Sequence, residues 1–182
     1  MKKNNSILIK PLKKVIFQPN SSEKNFDKDL KEIQKLLRSE KNKEALLLCE
    51  KIIISNPESK EIYEILGFLY KKINKDEESL NFYSRAISLY KDSIKKNKNQ
   101  SLNYYFLGNI YYSLNSYLKA SECYEKYESF NENPISSFLN HAKSAYNLSD
   151  LSKAKELCLN HIAQNDINAE SSNLLACIHT DL

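Results

Sequence analysis

The chain has 182 residues, 41% hydrophobic and 27% charged, which supplies a sizeable core and excludes whole-chain disorder. Only two glycines, Gly67 and Gly108, and four prolines are present, so neither a β-rich fold nor a glycine-rich phosphate loop has the turn residues it needs. The formal net charge of +4 divides unevenly: residues 1–25 hold six lysines against Glu23, leaving 21 basic and 22 acidic residues for a near-neutral body.

Residues 1–26 read as a basic, flexible arm. Lys10 and Pro11 break its apolar stretch after Ile7, Leu8 and Ile9, too early for a secretory signal. No apolar run in the chain is long enough to span a bilayer. The arm's lysines alternate with Val15, Ile16 and Phe17 but include no arginine, which argues against nucleic-acid recognition. An extended segment docking on a partner fits the same spacing.

Beyond the arm, apolar residues recur at i, i+3, i+4 and i+7, the signature of amphipathic helices. The pattern repeats every 34 or so residues. The first unit, 27–59, reads Leu30-x-x-Ile33-Gln34-x-x-Leu37, then Ala45-x-x-x-Cys49-x-x-Ile52 and Pro57. The second, 60–100, reads Tyr63-x-x-Leu66-Gly67-x-x-Tyr70, then Ser79-x-x-x-Tyr83-x-x-Ala86. The third, 101–134, reads Tyr104-x-x-Leu107-Gly108-x-x-Tyr111, then Ala120-x-x-x-Tyr124-x-x-Tyr127. The fourth, 135–168, reads Phe138-x-x-His141-Ala142-x-x-Ala145, then Ala154-x-x-x-Cys158-x-x-His161. Residues 169–182 match only a first helix, with Leu174, Leu175, Ile178 and Leu182 on one stripe, as a capping helix at a natural chain end would.

Polar turns are expected at Ser39–Lys43, Asn74–Asp76, Asn115–Ser116 and Ser149–Asp150, with Asp76 and Asp150 as N-caps of the second helices. The second unit is seven residues longer than the period, close to two helical turns. Ile87, Tyr90 and Ile94 extend its apolar stripe, which predicts an elongated second helix ending near Lys96 and projecting beyond its neighbours.

These residues resemble the tetratricopeptide repeat, W-x2-L-G-x2-Y, then A-x3-F, then P, over residues 27–182. Both glycines fall in the slot where, in that family, one helix crosses its neighbour closely. The resemblance implies a right-handed all-α solenoid of four repeats plus a capping helix, acting as a non-catalytic adaptor within a larger assembly. The first helices would line a concave groove that holds a peptide or partner helix.

Positions out of phase with the packing slots would face that groove: Lys28, Lys31, Lys35 and Arg38; Glu61, Glu64, Phe68 and Lys71; Leu102, Tyr105, Asn109 and Tyr112; Ser136, Leu139, Lys143 and Tyr146. The groove would begin basic and become aromatic and aliphatic. Well-known relatives clamp the C-terminal carboxylate of heat-shock chaperones with lysine, asparagine, asparagine, lysine and arginine. Asn109 and Asn140 match the two asparagine slots, but the cationic slots hold Tyr105, Glu170 and Leu174, and across units one to three only Lys31 matches. Without the cations a carboxylate gains no charge-assisted bonds, so chaperone-tail recognition is not expected. The two asparagines remain candidates for hydrogen bonding a ligand backbone.

Cys49, Cys123, Cys158 and Cys177 sit in helical patterns without clustered spacing, as reduced core thiols of a cytoplasmic or nuclear protein would. His141, His161 and His179 fall in packing slots. Cys158 and His161 share a helix face, but tight CxxC or HxxxH spacing is absent, so no metal is expected. No nucleophile, base and orienting group stand together, so no catalytic site or cofactor is expected either. An alternative is a structural subunit of a larger complex bound through the convex face and the elongated helix of the second unit, with nucleic-acid association through the arm a weaker reading still.

Overall fold

The computed structural model describes residues 21–96, 100–131, 134, 137–165 and 168–182. Among these the backbone forms nine helices and no strand. They are α1 (Ser21–Arg38), α2 (Asn42–Ser55), α3 (Lys60–Lys72), α4 (Asp76–Lys95), α5 (Gln100–Ser113), α6 (Tyr117–Ser129), α7 (Phe138–Asn147), α8 (Leu151–Gln164) and α9 (Ala169–Asp181). Helix α1 begins at Ser21, inside the stretch expected as an arm; residues 1–20 lie outside the described residues.

The chain divides into two units, Met1–Glu58 and Ser59–Leu182. The first contains the hairpin α1–α2. The second stacks the hairpins α3–α4, α5–α6 and α7–α8 and closes with α9, each helix packing on the next in sequence as an α-solenoid does.

Each hairpin turns in the same way. Glu40, Asn74, Asn115 and Ser149 adopt left-handed backbone, with φ of 57°, 59°, 57° and 63°. The amide of each bonds the carbonyl three residues back, and the next amide bonds the carbonyl five back: Lys41 to Leu36, Lys75 to Tyr70, Ser116 to Tyr111 and Asp150 to Ala145. This is the Schellman ending, and glycine favours its left-handed position. None of the four is glycine. Left-handed backbone costs a residue with a Cβ about 1–2 kcal/mol, so Ser149→Gly is expected to raise stability by about 1 kcal/mol in thermal unfolding.

Both glycines are used instead at helix crossings. A Cβ on Gly67 would stand 2.6 Å from Cδ1 of Tyr83, and one on Gly108 would stand 2.5 Å from Cε1 of Tyr124. Tyr83 and Tyr124 are buried, so each ring packs flat on bare backbone. Where the slot holds Ala142, the partner position holds the smaller Cys158, and both are buried in one core cluster. The small residue of the next helix joins in: the Ser79 hydroxyl donates to the Gly67 carbonyl at 2.7 Å.

Helix α4 is elongated as the spacing predicts, running 20 residues to Lys95. Its added turns carry the continued apolar stripe into the packing. Tyr90 is fully buried and Ile94 packs against the same core cluster. The Lys60 ammonium donates to Asn103 at 2.9 Å and to Ser93 at 3.1 Å, joining α3, α4 and α5.

Three further expectations are corrected. Lys75 is the N-cap of α4 and makes no capping bond, while Asp76 lies in the first turn with Glu77 and Glu78, where negative charge favours the helix dipole. Asp150 does cap α8, accepting from the Lys153 amide at 3.1 Å. In α9, Leu174 and Ile178 are buried, but His179 and Leu182 are exposed.

Candidate functional site

The first helices of the second unit, α3, α5, α7 and α9, carry the positions expected to face a ligand. Adjacent first helices are tied together on this face by polar rungs. The Lys71 ammonium of α3 donates to the Ser113 carbonyl at the end of α5, complementing the helix dipole there. Asn140 of α7 donates to Asn109 Oδ1 of α5 at 3.1 Å, and the Tyr124 hydroxyl donates to the same oxygen at 2.9 Å. Lys143 of α7 pairs with Glu170 of α9. The Tyr146 hydroxyl donates to Asp181 at 2.6 Å, which together with burial raises that phenol to about 12.

Thus Asn109, Asn140, Lys143 and Tyr146, read from the sequence as free ligand contacts, all have partners within the protein: the two asparagines bond each other, Lys143 pairs with Glu170 and Tyr146 bonds Asp181. Leu139 is a correction: only 8% exposed, it belongs to the core cluster of α7, α8 and α9. Its position is out of phase with the small slots, but the capping helix covers it. Ser136 lies outside the described residues. Lys31 and Lys35 belong to the first unit, where both are exposed and Lys35 lies 3.8 Å from Glu32.

The remaining aromatic side chains, Phe68, Tyr105 and Tyr112, are half-buried. Tyr105 packs on Phe106 and Tyr127, with ring centroids 5.4 and 5.2 Å away. Tyr112 meets Tyr117 edge-on at 5.6 Å. Phe68 receives the Lys72 ammonium 5.3 Å from its ring centre.

Glu64 has an electrostatic role that the sequence reading did not single out. The Tyr90 hydroxyl donates to its carboxylate at 2.6 Å. Burial, opposed by that bond and reinforced by Glu61, pushes the carboxyl up to about 8. A carboxyl whose folded value lies above its unfolded one costs stability as pH rises between the two values. Stability is therefore expected to fall as pH is raised from about 4.5 to about 8, and Glu64→Gln should flatten that slope in urea titrations. Only the tertiary burial of an i+3 neighbour of Glu61 signals this, and no spacing rule finds it.

A second polar cluster lies between α6 and α7. His141, 1% exposed, bonds Ser121 Oγ through Nε2 at 2.9 Å and Glu128 Oε1 through Nδ1 at 3.0 Å. Ser137 also donates to Glu128, at 2.8 Å. Although the order serine, imidazole, carboxylate matches a hydrolytic triad, Ser121 and His141 are buried in the helix interface, so the cluster fastens two repeats.

Burial pushes the Cys49 thiol up to about 12 and the Cys123 thiol up to about 11, and raises that of Cys158, which keeps all three unreactive. Cys177 is exposed, correcting its reading as a core thiol. Among the described residues, no three His, Cys, Asp or Glu side chains converge as a metal site, and no helix is long and apolar enough to cross a membrane.

Residues 60–93 and 103–134 match the tetratricopeptide repeat family. No curated protein matches the chain. Among solved structures, a putative kinesin light chain of Podosopora anserina with nearly identical TPR-like repeats is similar at 12% identity and a TM-score of 0.61, over 86% of each chain. A MamA RS-1 double mutant is similar at 15% identity and a TM-score of 0.55, over 85% of this chain and 83% of that one. YrrB, described as a TPR protein with an unusual peptide-binding site, is similar at 14% identity and a TM-score of 0.53, over 88% of this chain and 83% of that one. At these identities the likeness is one of fold.

Proposed function

The chain is a tetratricopeptide-repeat protein, and from that premise we propose that it is a non-catalytic adaptor docking an extended peptide or partner helix on its first-helix face. The observation that carries the reading is the division of labour on that face. Its polar side chains bridge adjacent repeats and hold the helices in register. The half-buried rings of Phe68, Tyr105 and Tyr112 are left to contact a ligand. Tyrosine suits such a surface because it offers a large apolar area and a hydroxyl for little lost rotamer freedom. The peptide-binding site described for YrrB, a protein of similar fold, supports the same class of ligand.

A second reading, a structural subunit held through the second helices, is favoured by Leu80 on α4, Leu118 on α6 and Leu159 on α8, which are exposed at 52%, 62% and 46%. Affinity capture from native lysate separates the two. Phe68→Ala/Tyr112→Ala is expected to abolish capture of the main partner, while Leu80→Glu/Leu118→Glu leaves it bound; circular dichroism checks that both variants fold. The opposite pattern would assign binding to the second helices. Asn109 is unsuitable for this test, since its removal also strands Tyr124 and Asn140.

A further inference from the structure

Charge on the first-helix face is unevenly satisfied. Lys71 bonds the Ser113 carbonyl, Lys72 lies over Phe68 and Lys143 pairs with Glu170. Among the described residues, Glu61 and Glu64 have no ammonium or guanidinium partner. Glu61 accepts only from the Ser59 hydroxyl at 3.3 Å, and Glu64 only from Tyr90. The two carboxylates lie three residues apart on one side of α3. Glu64 is close enough to α5 to be felt electrostatically by Tyr105. Helix α5 itself carries no charged residue. The α3–α5 part of the face therefore combines two carboxyl groups that have no cationic partner among the described residues with a half-buried aromatic ring.

We propose that this part of the face selects basic peptides, seating a lysine or arginine of the ligand against Glu64 and Glu61 with the Tyr105 ring beside it. A carboxylate supplies a charge-assisted bond to the cation, and an aromatic ring favours it through its quadrupole. An acidic ligand would instead be repelled by Glu61, and by Glu64 once it ionises, which disfavours such partners. This specificity rests on the docking reading above and adds the chemistry of the ligand.

The proposal also fixes the sign of a pH effect. Tyr90 on α4 bonds Glu64, and the Lys60 ammonium lies 5.3 Å from the centre of the Tyr90 ring; Glu61 on α3, Tyr83 on α4, Tyr105 on α5 and Tyr124 on α6 interact with Glu64 electrostatically. The four phenols are raised by burial and stay neutral, so Glu64 is the group that titrates near neutrality. A ligand cation favours its ionised form. Affinity therefore rises with pH through that range, by about tenfold between about pH 6 and about pH 9.

The experiment pans a random dodecapeptide phage library on the immobilised full chain, then measures one selected synthetic peptide by fluorescence anisotropy at the two pH values. Wild-type protein is expected to enrich lysine and arginine over the input library. Glu61→Gln/Glu64→Gln should lose both that enrichment and the pH dependence while still selecting aromatic peptides. Selected peptides with no basic excess, or an excess unchanged in the double glutamine variant, overturn the charge preference and leave the docking reading standing. Failure to select any peptide that depends on Phe68 and Tyr112 overturns both.

Discussion

Gly108→Ala is expected to lower stability by about 1–3 kcal/mol, the range for overpacking a filled core, despite alanine's better helix propensity. The added carbon would sit 2.5, 2.8 and 2.9 Å from three atoms of the Tyr124 ring. That ring is fully buried and its hydroxyl is tied to Asn109, so it has no cheap way to move. Gly67→Ala should act similarly through Tyr83. The mechanism is checked by the pair Gly108→Ala/Tyr124→Cys, which reproduces the Ala142 and Cys158 combination of the next repeat. Urea unfolding should show the double variant losing less than the two single losses added, because the alanine no longer meets a ring. Additive losses would mean that the crossing is not what constrains Gly108.

His141→Ala is expected to cost about 2–4 kcal/mol. It opens a cavity between α6 and α7 and strips Ser121 and Glu128 of a shared partner. In the other repeats of the second unit the same slot holds Leu66 and Leu107, both buried. His141→Leu alone should still be destabilising, since it leaves the Ser121 hydroxyl facing hydrocarbon. His141→Leu/Ser121→Ala should recover much of the loss by replacing both halves of a buried bond with apolar groups. Thermal unfolding of the three variants tests this order. If His141→Leu is as stable as the starting protein, the polar cluster contributes nothing to holding the two repeats together.

Much of the fold was legible because its cues are local or strictly periodic. Gly67 and Gly108 could be placed at helix crossings from their phase alone, since the small and large slots repeat with the helices that carry them. The four turns were legible for the same reason, although Glu40, Asn74, Asn115 and Ser149 showed no glycine to mark them. The site was less legible. Phase identifies which side of a first helix a residue occupies, but it says nothing of what stands opposite. Leu139 and Tyr112 occupy equally good positions by that rule, yet a core cluster with α8 and α9 buries the one and the other stays half-buried.

The sequence by itself determined an all-α chain of in-phase helical hairpins, the long α4 and the capping of α8 by Asp150. Each follows from residue type and spacing within a few turns of helix. Only the tertiary structure decided that Asn109 bonds Asn140, that Lys143 is spent on Glu170, that Ile94 packs against the core and that Glu64 is half-buried on Tyr90 with no cationic partner among the described residues. Those facts depend on distances between helices that are remote in sequence. A repeat with one spacing can set different side chains against each other at every seam.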